Sequence, residues 1–150
     1  MLKQLTHVNV WVNDQDEALD FYTNKLGLEL RMDVTAPEMG GFRWLAVGLP
    51  GQEDVALALL RVPGPPVFDD ETKAKLEELV AKGAAGGIFF STDDCQATFE
   101  DLKERGVEFV QEPTEQFYGI DAGFRDPSGN SIRISQLRDM SGYETAAARS

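Results

Sequence analysis

The chain carries one cysteine and one histidine, and each scarcity closes off a class of chemistry. With Cys95 alone there is no disulfide framework within the chain, which leaves a cytosolic reading unopposed. With His7 alone, a metal site built from two histidines and one carboxylate of the same subunit is excluded. Positive charge is also short: 14 Lys and Arg stand against 26 Asp and Glu, for a net charge of -12. A surface of that sign repels phosphate backbones and anionic lipid, so neither nucleic acid nor a membrane is an expected partner. The uncharged run from Gly83 to Thr92 is about half of what a bilayer span needs. Met1 to Thr6 holds no apolar signal-peptide core, and the expected compartment is the cytoplasm. The glycine pairs at 40 and 41 and at 86 and 87 lack phosphate-loop spacing and give nucleotide binding no support.

What the chain does have is a repeat. Its 150 residues, 42% hydrophobic and 27% charged, suit one globular domain. Within it, Thr6-His7-Val8-Asn9-Val10-Trp11-Val12 leads through Asn13-Asp14 to an amphipathic stretch from Ala18 to Gly27. The same order returns as Gly86 to Thr92, Asp93-Asp94, and Ala97 to Gly106. Ala18 matches Ala97, Gly27 matches Gly106 and Leu28-Glu29-Leu30 matches Val107-Glu108-Phe109, at an offset of about 79. Each copy opens on an alternating strand, meets an Asp suited to a helix N-cap, and stops its helix at a glycine. Further strands are expected over Leu28–Thr35, Phe42–Val47 and Val55–Val62 in the first copy. In the second they are expected over Val107–Gln111, Phe117–Arg125 and Ser131–Leu137. The pattern is βαβββ twice, an α+β fold. Module one runs over about 5–62, a linker with a short helix over 63–85, module two over 86–137, and a tail over 138–150. Residues 1–137 read as a single domain. The charges from Glu71 to Lys82 read as a solvated helix face.

Phe21-Tyr22 with Leu26-Gly27-Leu28, the second copy, and Phe124-Arg125-Asp126-Pro127-Ser128-Gly129-Asn130 together resemble the vicinal-oxygen-chelate superfamily of glyoxalases, bleomycin-resistance proteins and extradiol dioxygenases. The likeness covers about Leu5 to Leu137. It implies that the strands curl into a mixed-sheet cup with helices outside, that two chains pair as a homodimer, and that a small molecule is the partner. Because the superfamily hosts lyases, oxidoreductases and drug-sequestering proteins on one scaffold, fold alone does not give the activity.

Strand alternation then says what faces the cup. Val8, Val10 and Val12 belong under a helix, leaving His7, Asn9 and Trp11 inward. By the same rule Ala56, Ala58 and Leu60, then Gly87, Phe89 and Ser91, then Ser131, Arg133 and Ser135 are inward. The family's metal ligands would map to His7, Ala58, Gly87 and Arg133, of which only the histidine can coordinate, so no family-type metal and no other cofactor is expected. The expected ligand-binding set is Asn9, Trp11, Ala58, Gly87, Phe89, Ser91, Tyr118, Asp121, Arg133 and Ser135. Arg133 either meets an anionic or polar ligand or is satisfied by Asp121 across the Pro127 turn. His7, the residue type most often used for proton transfer, is the candidate general base, with a structural role as the alternative. Trp11 either stacks on a planar ligand or is core. Cys95 sits in the first turn of the second helix, beside Asp93 and Asp94 and without a histidine partner, which disfavours a nucleophile.

Three readings stay open. One is a metal-independent binding protein that sequesters an antibiotic or aromatic metabolite. The second is a glyoxalase-like or dioxygenase-like enzyme using His7 with Arg133 or Asp121, or a metal held in an unrecognised way. The third is a structural dimer with a vestigial pocket.

Overall fold

The computed structural model describes residues 1–142. The chain divides into two compact units, one of residues 1–87 with 125–131, the other of residues 88–124 with, among the described residues, 132–142. The part of the expected tail from Tyr143 on lies outside the described residues.

The first module reads β1 (His7–Val12), α1 (Gln15–Asp20), β2 (Glu29–Ala36), β3 (Phe42–Gly48) and β4 (Ala56–Arg61). Its sheet has the order β1-β4-β3-β2, with β1 parallel to β4 and the other neighbours antiparallel. Asp14 caps α1 by accepting from the Glu17 N–H at 3.0 Å. The expected helix from Ala18 to Gly27 therefore begins earlier, at Gln15, and its second half, Phe21–Lys25, is a π turn. There the Thr23 hydroxyl donates to the Leu19 carbonyl at 2.6 Å, competing with the main chain for that acceptor. The chain turns out at Gly27, whose φ of 84° suits a residue without a Cβ. Val10, Val12, Leu45, Val47 and Leu59 form the covered side of the sheet with Ala18, Phe21 and Tyr22. Val8, expected there too, stays half exposed.

The second module repeats the plan: β5 (Gly87–Ser91), α3 (Cys95–Glu104), β6 (Phe109–Gln116), β7 (Gly119–Arg125) and β8 (Ser131–Leu137), in the order β5-β8-β7-β6. Asp94 caps α3 through the Ala97 N–H at 3.0 Å. Phe99, Phe109 and Phe124 stack edge to face beneath α3, with centroid spacings of 4.6 and 5.0 Å. β6 runs five residues past the expected Gln111, through Pro113, because it is the edge strand and an edge tolerates a missing N–H. β7 starts two residues later than expected, since Phe117 and Tyr118 form the turn. Between the modules, α2 (Asp70–Ala81) fills the linker, capped by Asp69.

The Asp126–Asn130 turn packs within the first unit, and its chemistry joins the two sequence phrases that single out this fold. Asp126 Oδ1 accepts from the N–H groups of Ser128 and Asn130 at 2.9 Å each. Its Oδ2 accepts from the Asn130 side chain and from the hydroxyl of the fully buried Tyr22, both at 2.8 Å. Burial, followed by the charge and hydrogen bond of Asp126, pushes the Tyr22 phenol far above its ordinary pKa. Asn130 Nδ2 also donates to the Trp11 carbonyl at 2.8 Å, and the Asn13 N–H donates to Ser128 Oγ at 2.9 Å. Gly129 has a φ of 106°, and a Cβ there would stand 2.6 Å from the carbonyl oxygens of Val80 and Ala81. The turn is thus fixed to β1, the π turn and the end of α2.

Candidate functional site

Opposite its covered side, the first sheet presents an apolar face. The register sets His7, Asn9 and Trp11 of β1 beside Ala56, Ala58 and Leu60 of β4. Ala58 also partners Ala46 of β3, which partners Met32 of β2, while Val34 partners Trp44. His7 and Trp44 stand at opposite corners of the square around Ala58. Their rings nevertheless approach to 5.0 Å between centroids at 72°, so they meet over Ala58. Alanine at 58 and 46 leaves room for that contact, and the two residues are 1% and 0% exposed. Around the pair, Met32, Val34 and Phe42 are exposed and Trp44 is half-buried. Trp11 turns its ring to Phe68, 6.2 Å away, rather than to Trp44. Trp44 is the residue that the sequence reading passed over.

His7 is exposed, and its Nδ1 lies 3.0 Å from Thr6 Oγ1. That hydroxyl is its partner, and no carboxylate makes an ion pair with it among the described residues. An imidazole so placed lacks the orienting acid that a general base uses.

The second sheet's open face is polar. Asp121, on β7, is buried and saturated: Oδ2 accepts from Tyr118 Oη at 2.7 Å and Arg133 Nε at 2.8 Å, and Oδ1 accepts from Gln111 Nε2 at 3.3 Å. Arg133 Nη2 adds a contact of 2.6 Å to Oδ2 and donates to Gln111 Oε1 at 2.5 Å. Burial works against the Asp121 charge, but the Tyr118 hydroxyl, the Arg133 guanidinium and the Gln111 amide outweigh it and hold the carboxyl below its ordinary pKa. The same carboxylate, first through its hydrogen bond, raises the Tyr118 phenol, with burial adding to the effect. The guanidinium passes close over Gly123, where a Cβ would stand 2.9 Å from Nη1. Phe89, on the neighbouring β5, projects from this face at 75% exposure. Gly87 and Ser91 are exposed on the same strand, and Ser131 and Ser135 are half-buried on β8. Gln111 is the member of this network missing from the expected set.

Cys95 is buried, its N–H bound to Gln136 Oε1 at 2.9 Å. Burial, then Asp121 and Asp94, push its thiol above the ordinary pKa, the opposite of what a nucleophile needs. The donor set does not fit a family-type metal either. Ala58 and Gly87 bring no side-chain donor and the Arg133 guanidinium is engaged by Asp121. Among the described residues no three His, Cys, Asp or Glu side chains gather in a group able to hold an ion. No helix among them is long and apolar enough to cross a membrane.

Two βαβββ modules, each with one helix-covered and one open sheet face, define the α+β class of paired-module proteins. The chain belongs to the Glyoxalase/Bleomycin resistance protein/Dioxygenase superfamily, whose pattern it matches over residues 4–134. It is similar to the crystal structure of UcmS2, at 43% identity and a TM-score of 0.82, over 91% of this chain and 99% of that one. It is also similar to TnmS3, an antibiotic binding protein from Streptomyces sp. CB03234, at 31% identity and a TM-score of 0.70, over 91% and 98% of the two chains. A more distant relative is a lactoylglutathione lyase of Neisseria meningitidis, 27% identical over 95% of this chain and 99% of the other.

Proposed function

We propose that this chain is a metal-independent small-molecule-binding protein that holds a planar, largely apolar molecule, such as an antibiotic or aromatic metabolite, and sequesters it. The observation that carries the reading is the half-buried Trp44 indole meeting His7 over Ala58, amid exposed Met32, Val34 and Phe42. An aromatic face of this kind binds flat rings by stacking and by removing apolar area from water, worth about 25 cal/mol per Å² buried. The description of TnmS3 as an antibiotic binding protein supports the same reading. Asn9 stands beside Ala58 on β1 and would supply the polar contact that orients the ligand.

The test is a thermal-shift and calorimetric screen of planar aromatic compounds against the wild-type protein and Trp44→Ala. Saturable binding that Trp44→Ala weakens at least tenfold supports the reading; binding unchanged in that variant, or none from any planar compound, rejects it. The enzyme reading would need His7 as the base, and His7→Ala separates the two, since sequestration keeps no turnover to lose. The protein acts, in this reading, as a cytoplasmic homodimer. Sedimentation equilibrium should then give about 33 kDa, twice the chain mass of 16.6 kDa.

A further inference from the structure

We infer that Gln15 is a positioning residue for the first open face: it ties β3 to β4 where their own ladder gives out, and so sets the aim of the Trp44 indole at a bound ring. The effect on binding rests on the small-molecule reading of that face; the tie itself does not. Among the described residues the β3–β4 ladder runs through Val47–Leu57 and Ala46–Ala58 and stops there, although β3 reaches back to Phe42 and β4 on to Arg61. Trp44 lies just beyond that end, two residues from Ala46. Where a ladder stops, main-chain carbonyls need other donors. Gln15, the first residue of α1, supplies them: its Nε2 donates to the Arg43 carbonyl at 3.0 Å and to the Leu59 carbonyl at 2.9 Å. An amide nitrogen carries two N–H groups, so each strand takes one.

Arg43 is held by its side chain as well. Nη1 donates to Asp16, the next residue of α1, at 2.7 Å, and Nε and Nη2 donate to the two carboxylate oxygens of Asp33 on β2 at 2.9 Å each. The Asp16 bond is the weaker fastening, because that side chain is 85% exposed and water screens the pair. The part-buried Gln15 bonds act directly on the main chain, one residue before Trp44. The second module supplies an internal comparison. There Cys95 opens α3 as Gln15 opens α1, and its thiol reaches one carbonyl, that of Ile134 on β8, at 3.9 Å. A thiol is a weak donor with a single proton and cannot span two strands. The double tie is thus found in the module whose open face carries the Trp44–His7 ring pair. Without the amide, the Arg43 and Leu59 carbonyls must take water or the two strands must close on each other, and either outcome shifts Trp44 relative to His7.

The experiment compares the full wild-type chain with Gln15→Met, which keeps the side-chain length and loses both donors. The first readout needs no ligand: the nuclear Overhauser contact between the ring protons of Trp44 and those of His7, the one histidine in the chain. The second is calorimetric titration with 2-naphthamide. In Gln15→Met the ring contact should weaken at least twofold and the affinity should fall at least fivefold. Asp94→Ala, which uncaps α3 in the other unit, lowers stability and should move neither readout. An unchanged ring contact in a folded Gln15→Met, or the same loss in Asp94→Ala, overturns the inference. So does an affinity that Gln15→Met leaves intact where Trp44→Ala lowers it. Should Gln15→Met not fold, Gln15→Asn, one methylene too short to span both strands, takes its place under the same criteria. If the wild type binds no planar probe, the reading of the first face falls, and the ring contact alone decides the role of Gln15.

Discussion

The two open sheet faces are built on the same topology and do opposite things. On the first, alanines at 46 and 58 leave a gap that the Trp44 and His7 rings close, and the exposed neighbours are Met32, Val34 and Phe42. On the second, the corresponding area is a closed set of hydrogen bonds among Asp121, Tyr118, Gln111 and Arg133. The hairpin turns differ in the same sense. The turn after β3 is tied from outside, by Arg31 donating to the Leu49 and Gln52 carbonyls at 2.7 and 3.2 Å. The turn after β7 is tied from inside, by the Asp126 carboxylate accepting from its own residues and from Tyr22. Duplication of a module fixes where strands and helices go, through caps and covered faces, and leaves the open face free to diverge.

That contrast makes the two faces respond differently to substitution. Arg133→Met should have the largest effect on stability. It strands a buried carboxylate, at a cost of about 3 to 5 kcal/mol, or on the order of 10 °C in Tm. Joining Asp121→Leu to it should recover most of the loss; if Arg133→Met alone melts like the wild type, the network is not a closed unit. Next is Tyr22→Phe, which removes one of four donors from Asp126 and should cost about 2 kcal/mol in a urea titration. Acid should separate the faces further. A carboxyl whose folded pKa is lowered contributes stability that is present above its unfolded value, 3.8, and lost as the pH falls through the folded value. Asp121→Asn should therefore flatten the loss of stability below about pH 4. Trp44→Ala comes last, at about 1 kcal/mol because the indole is only half-buried, yet it should remove ligand binding where the second-face variants with larger stability costs leave Trp44 intact.

Much of the fold was legible in the sequence. The repeat, the Asp caps at 14 and 94 and the glycines at 27 and 106 mark both modules, and β8 runs over the expected residues. The ion pair between Arg133 and Asp121 was one of two readings of the alternation around the Pro127 turn, and it is present. Trp44 was not readable in the same way. In β3, Phe42, Trp44 and Ala46 alternate with Leu45 and Val47, so both sides of the strand are apolar and the pattern does not say which is open. Gln111 was hidden for another reason. β6 has register shifts on both sides of it, and a bulge breaks the two-residue period on which facing arguments depend. The role of Asp126 was hidden by distance. Proline and glycine announce the turn, but a partner 104 positions away, Tyr22, leaves no local mark.

The most direct test of the contrast uses the fact that the chain has only two tryptophans. In Trp11→Phe, Trp44 is the sole indole and reports on the first face alone. Titration with a neutral planar probe such as 2-naphthamide should change the Trp44 emission saturably, and Ala58→Leu, which fills the space beneath the ring pair, should abolish that change. Trp44 emission that stays constant while calorimetry records binding would contradict the assignment of the first face as the stacking platform.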